Sequence, residues 1–296
     1  MRTLPKDAAA TPAEARHPEP EVLEVVAPAR IAQLVEEVGV RKAELPLVPT
    51  LTLGILAGAF IAFGAMFYTV AVTGSELGFG PTRLLGGLAF SLGLILVVIG
   101  GAELFTGNSL IVMAWADRRV GTAALLRNWA LVYIGNLIGA LATALLVHLS
   151  GVLSLGGGTV AATAEAIAHA KIALTPLEAF VRGILCNTLV CLAVWMCFAA
   201  RSATGKILAI LFPITAFVAL GFEHSVANMY LIPVAALQDE GTIGVMDVLA
   251  NLVPVTLGNI AGGGILVALV YWLIYLRKDH DAKSAVRRAT NSRSSE

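Results

Sequence analysis

Six windows of roughly 20 apolar residues, each long enough to cross the ~30 Å hydrocarbon layer of a bilayer, constrain this chain more than any other feature. They run near Thr50–Thr73, Leu84–Ala116, Trp129–Leu149, Leu177–Ala200, Ile207–Leu237 and Leu249–Leu276. A water-soluble surface needs about a quarter of its residues charged. Here 14% are charged against 57% apolar, so the sequence reads as an all-α polytopic membrane protein. The second and fifth windows exceed thirty residues and are interrupted by Gly, Ser, Thr, Asn and acidic residues. They are too long for a straight span and too polar at the centre, which predicts two broken helices.

Self-comparison explains the interruptions. At a shift of 120 residues, GAELFTGN (Gly101–Asn108) aligns with GFEHSVAN (Gly221–Asn228), both reading G-x-E-x-x-x-x-N. At a shift of 123, Asn128, Gly135, Asn136 and Gly139 align with Asn251, Gly258, Asn259 and Gly262. Two matches at nearly one offset, each in the corresponding span, mark a three-plus-three duplication. Because each half holds an odd number of spans, the halves insert in opposite senses and form inverted repeats. Irregular backbone at membrane depth survives only where protein or a water-filled cavity satisfies it, so the two breaks are expected to meet around a central passage.

Three segments follow. Residues 1–48 form an N-terminal tail containing an amphipathic helix, 49–277 the six-span unit, and 278–296 a basic tail. In the helix, Ile31, Leu34, Val35 and Val38 share one face, and it either packs on the bundle or membrane or acts as a gate. Arg118, Arg119, Arg127, Arg201, Lys206 and the tail from Arg277 place their loops and both termini in the cytoplasm by the positive-inside rule. Twenty acidic and twenty basic residues cancel, leaving no field to attract nucleic acid.

Among candidate functional residues, His224 stands out as an ionisable side chain inside an apolar span. Glu103 and Glu223, equivalent under the repeat, are expected to anchor the loops with Asn108 and Asn228. Of the intramembrane amides, Asn187 and Asn259 are expected to face a permeant solute, and the others to join spans. Lys171, read as a lone cation in the stretch before span four, would concentrate anions at a vestibule. Gly135 and Gly139 suggest close helix approach. Cys186, Cys191 and Cys197 fit no metal or redox spacing, and His17, His148 and His280 receive no role. No cofactor or metal motif is present in the sequence.

GAELFTGN, GFEHSVANMY, GILCNTLVCLAVW and the two GN motifs together resemble the formate/nitrite transporter family of pentameric anion channels. The likeness extends from about Val26 to Tyr275. It implies an aquaporin-like six-helix protomer, a homopentamer in the plasma membrane, and one pore per protomer. Under the resemblance, His224 is the central pore histidine, Thr106 its hydrogen-bonding partner, and Asn187, Asn259 and Lys171 line the pore and its outer vestibule. It makes Phe90 and Phe217 an outer aromatic constriction, and Leu94, Leu104 and Val190 an inner apolar one. Glu103 and the Gly107–Asn108 pair depart from the Asp and Ser/Thr of formate channels.

A bare anion crossing two apolar constrictions faces a desolvation cost of many kcal/mol. The expected mechanism is therefore passage of a small monovalent anion of a weak acid, formate foremost with nitrite, hydrosulfide or acetate as alternatives, assisted by a proton from His224. An intramembrane enzyme built on Glu223 and His224 lacks a nucleophile and a metal set, and a neutral-solute pore lacks paired N-P-A loops.

Overall fold

The computed structural model describes residues 25–238 and 241–277, and all regular structure among them is helical. The expectations for residues 1–24 and the basic tail from 278, with His17 and His280, lie outside the described residues. The chain begins with α1 (Pro28–Glu44), then α2 (Leu47–Val72) and α3 (Phe79–Gly100). A 3₁₀ turn (Gly107–Ile111) leads into α4 (Val112–Ala116), followed by α5 (Thr122–Leu149) and α6 (Thr159–Ile172). The second half comprises α7 (Pro176–Ala199), α8 (Ala203–Ala219), α9 (Ser225–Ala236) and α10 (Val245–Ile260), which continues through a π-helical stretch (Ala261–Leu269) into α11 (Val270–Tyr275).

Five of these helical stretches are long and apolar enough to cross a bilayer: α2, α3, α5, α7 and the continuous α10–α11. The sixth crossing is made by α8 and α9 together, 17 and 12 residues long. The two broken spans are thus unequal, because α3 already runs 22 residues before its break. Leu56, Phe63, Phe67, Leu141 and Leu145 are among the large apolar side chains left on the outer surface. An apolar exterior of this kind is stable against lipid or another subunit, and the chain is a multi-pass membrane protein.

The repeat contains more than three spans. The surface helix α6 is the partner of α1, since Lys42 and Gly54 correspond to Lys171 and Gly183 at a shift of 129 residues. Sequence periodicity did not separate α6 from a loop, because Ala dominates TVAATAEAIAHAKI. At the opposite end from α6, Ile31 and Val35 of α1 pack in one cluster with Ile111, Met113, Val267 and Leu276. Both ends of the described chain therefore lie on the same face. Glu36, which is not on the Ile31–Val35 apolar face in the sequence, is nevertheless buried.

Close backbone approach joins α2 to α5 and α7 to α10. A Cβ on Gly54 would lie 3.2 Å from the Gly135 Cα, and one on Gly183 would lie 3.2 Å from the Gly258 Cα. Gly139 similarly abuts Ile55 O. With no hydrophobic drive between helices in lipid, such contacts carry packing energy that a side chain would remove.

Candidate functional site

The motif G-x-E-x-x-x-x-N can be read residue by residue. Its glycine ends the helix: Gly101 and Gly221 adopt left-handed φ of 76° and 73°. In each case the next N–H bonds back to the helix, Ala102 N to Val97 O at 2.9 Å and Phe222 N to Phe217 O at 3.0 Å. This closes both helices with a Schellman-type turn. The glutamate amides then reach across to a neighbouring helix, Glu103 N to Leu53 O and Glu223 N to Arg182 O.

Each glutamate side chain is the hub of a buried network repeated in both halves. Glu103 Oε1 accepts from Lys42 Nζ at 2.6 Å and its Oε2 from Asn108 Nδ2 at 2.7 Å. Asn108 also donates to Asn128 Oδ1, and Asn128 returns a bond to the Lys42 carbonyl. In the second half Lys171 Nζ donates to Glu223 Oε1 at 2.9 Å and Asn228 Nδ2 to Glu223 Oε2 at 2.6 Å. Asn228 then donates to Asn251, which donates to the Lys171 carbonyl. Lys171 is therefore the last-turn residue of α6 and ion-paired, not a lone loop cation. Its side chain is 14% exposed and that of Glu223 4%.

Asn187 and Asn259 are also placed differently from the sequence expectation. Asn259 accepts from Ser225 N and donates to Gly183 O and Glu223 O, and its repeat mate Asn136 accepts from Phe105 N and donates to Gly54 O and Glu103 O. Asn187 donates to Thr106 O, Ser109 Oγ and Asn259 O. Both are fully buried, and neither lines the two cavities described below. Their amides are engaged in holding loop backbone at membrane depth, where water cannot satisfy it.

Two cavities approach the breaks from opposite faces. One of about 290 Å³ on the α1 side is bordered by Val35, Lys42, Leu94 and Leu104. The other, about 130 Å³ on the α6 side, is bordered by Phe90, Lys171, Phe217 and His224. Phe90 and Leu94 are one helical turn apart on α3, about 6 Å along its axis, and each borders a different cavity. The Phe90 and Phe217 rings meet edge to face at 5.5 Å, and Phe217 stacks on His224 at 5.9 Å. Leu94, Leu104 and Val190 are at most 3% exposed and belong to the same core cluster.

His224 lines the α6-side cavity. It is the N-cap of α9, and its Nδ1 accepts the Ala227 amide at 3.1 Å. With Nδ1 engaged as an acceptor, the proton of a neutral ring resides on Nε2. Nε2 lies 3.0 Å from Thr106 Oγ1 in the opposite loop and so is the donor in that bond. The repeat position of His224 in the first loop is Leu104, so the imidazole breaks an otherwise symmetric arrangement.

Two features escaped sequence reading. The π-helical stretch passes Gly263 against Asn187, Cys191 and Ser109, leaving no room for a side chain. The run of Gly262, Gly263 and Gly264 was its only sequence signal. The second is the capping box at Thr175, whose hydroxyl accepts from Glu178 N while Glu178 Oε2 accepts from Thr175 N. The three cysteines are buried and free.

Comparison with known proteins places this arrangement. The profile of the formate/nitrite transporter family matches residues 29–273. The chain belongs to the formate/nitrite transporter family. It is 43% identical over 277 residues to the formate channel FocA of Escherichia coli K12, covering 87% of this chain and 97% of that protein. A probable formate transporter of Methanothermobacter thermautotrophicus is 42% identical over 268 residues, covering 85% and 97%. Among solved structures, a pentameric formate channel with formate bound superposes with a TM-score of 0.71 at 41% identity, covering 78% of this chain and 98% of that one. A formate/nitrite-family ion channel superposes with a TM-score of 0.76 at 30% identity, covering 83% and 98%. Membership makes the chain a membrane transport protein and not an enzyme.

Proposed function

We propose that this protein is a homopentameric channel for small monovalent anions of weak acids, formate foremost, with one passage per protomer. The observation that carries the reading is the bond between His224, which lines the α6-side cavity, and Thr106 of the opposite loop. Support comes from the titles of its relatives, a formate channel and a pentameric channel with formate bound. The apolar outer faces of α2 and α5 suit subunit and lipid contact. Arg119 and Lys206 lie on the α1 side, which by the positive-inside rule makes that face cytoplasmic in the inner membrane.

The departures at Glu103 and the Gly107–Asn108 pair border the α1-side cavity, where Lys42 holds Glu103 and Asn108, so they bear on that vestibule and not on the Phe90–Phe217 constriction. Nitrite shares the charge and size of formate, and anion competition in one preparation ranks the two.

In the proposed mechanism the anion enters a vestibule and replaces Thr106 as acceptor of the His224 Nε2–H. Passing the constrictions as a bare ion is costly, whereas the protonated weak acid crosses without that penalty. His224 transfers the Nε2 proton to the carboxylate while Nδ1 takes a proton from the cavity, leaving the Ala227 amide. The test is His224→Asn. Asn is among the best N-caps, so its Oδ1 can take over the Ala227 bond and its NH2 remains a hydrogen-bond donor, but it cannot release or take up a proton near neutral pH. Formate uptake into proteoliposomes between about pH 5 and 8 is expected to lose its pH coupling in the mutant. A pH profile identical to wild type refutes the relay and leaves His224 as a hydrogen-bond donor.

A further inference from the structure

The α6-side cavity is bordered by three cations, Arg83, Lys171 and Arg182, and one carboxylate, Glu223. Glu223 is already held by Lys171 and Asn228. The two arginines are left without it, yet they converge. A Cβ built on Gly221 would lie 2.9 Å from Arg83 Nη2 and 3.9 Å from Arg182 Nη1, so both guanidinium groups crowd one glycine at the cavity rim. Glu178, one turn before Arg182, directs its carboxylate to Thr175.

The two guanidinium groups differ in what satisfies them. Arg83 donates from Nε to Ala219 O and from Nη2 to Val218 O, both at 3.0 Å, and so caps the C-terminal end of α8. Among the described residues Arg182 makes a single long bond, Nη1 to Gly221 O at 3.4 Å. Its remaining donors form a planar fork at the cavity wall, the geometry that matches a carboxylate in a bidentate pair. Two like charges brought together at the mouth of a low-dielectric passage also focus their field into it.

From this convergence we propose that Arg182, backed by Arg83, forms a waiting site for a small carboxylate at the α6-side mouth, before the anion reaches His224. The inference rests on the anion-channel reading and adds to it a residue that sets affinity at one mouth only. Gly221 is part of the device, since its bare Cα lets both guanidinium groups approach.

The experiment uses the full-length protein in a host without other formate transport, with right-side-out and inverted vesicles exposing opposite mouths. For formate entering from the α6 side, Arg182→Gln is expected to raise the half-saturating concentration roughly tenfold or more, the effect of losing a charge-assisted hydrogen bond, with maximal flux retained. Entry from the α1 side keeps its wild-type half-saturation. Arg182→Lys restores the charge without the fork and is expected to fall between the two. Unchanged half-saturation at the α6-side mouth, or equal shifts at both mouths, overturns the site. Absence of formate flux in the wild type defeats the channel reading instead. The site is then decided by binding of ¹³C-formate to the solubilised protein, measured by saturation-transfer NMR: weaker binding in Arg182→Gln supports it, and equal binding overturns it.

Discussion

Replacing Lys171 with Met separates an anchoring lysine from a vestibule cation. Its ammonium lies 2.9 Å from Glu223 Oε1, with the two side chains 14% and 4% exposed. Unit charges at that distance attract by about 6 kcal/mol at an effective dielectric constant of 20, most of which offsets their own desolvation. Removing one partner strands the other, and for a buried pair that costs about 3–5 kcal/mol. Lys171→Met is therefore expected to destabilise the protein by that amount. Glu223→Gln alone also costs stability, since its new amide hydrogens face the ammonium. Combining the two removes both charges, and the double mutant is expected to be more stable than Lys171→Met. The Lys42–Glu103 pair, with side chains 27% and 6% exposed, supplies a matched control in which Lys42→Met costs less. Denaturant titration in mild detergent, followed by tryptophan fluorescence, gives the four free energies of each cycle. Strict additivity at Lys171 and Glu223, or a Lys171→Met protein of wild-type stability with slowed anion entry, refutes the anchoring argument.

Other outcomes follow from the same geometry. Phe90→Ala and Leu94→Ala, each bordering a different cavity, are expected to raise acetate flux relative to formate at a packing cost of about 2–5 kcal/mol each; an unchanged selectivity order in both assigns the side chains to packing alone. Gly58→Ala places its Cβ against the Asn136 carbonyl, so poor recovery of folded protein in detergent chromatography is expected, and wild-type yield counts against close packing of α2 and α5. Glu36 titrates high, at about 7 against the usual 4.5, because burial and the adjacent Asp117 outweigh the attraction of Arg119. Its folded-state value exceeds its unfolded one, so α1 docking is strongest below about pH 4.5 and weakens as pH rises through 7. The protection of α1 amides, meaning exchange corrected for its intrinsic rise with pH, is therefore expected to fall between about pH 4.5 and 7 in the wild type but not in Glu36→Gln, and an equal pH dependence of protection in both removes Glu36 as the cause.

Much of this protein is legible in the sequence because the bilayer imposes one length and one polarity on every span. The apolar windows locate the crossings, the 120-residue match identifies both breaks, and a histidine at that depth marks the cavity it lines. In G-x-E-x-x-x-x-N the local chemistry is also explicit, since only glycine adopts the left-handed turn without strain and a buried glutamate requires donors.

Direction is what sequence left undetermined. Asn187 and Asn259 read as solute-facing because a polar residue in an apolar run has no visible partner, yet their partners are loop and helix atoms as far as 81 residues away. Lys171 read as solitary because Glu223 lies 52 positions further along. Arg83 and Arg182 are 99 positions apart in the chain, and only the fold brings them together at Gly221. A one-dimensional pattern specifies which residues need a partner and what chemistry that partner must supply. Which partner is met depends on helix crossings set by glycine contacts between distant spans, and only the tertiary structure decided those.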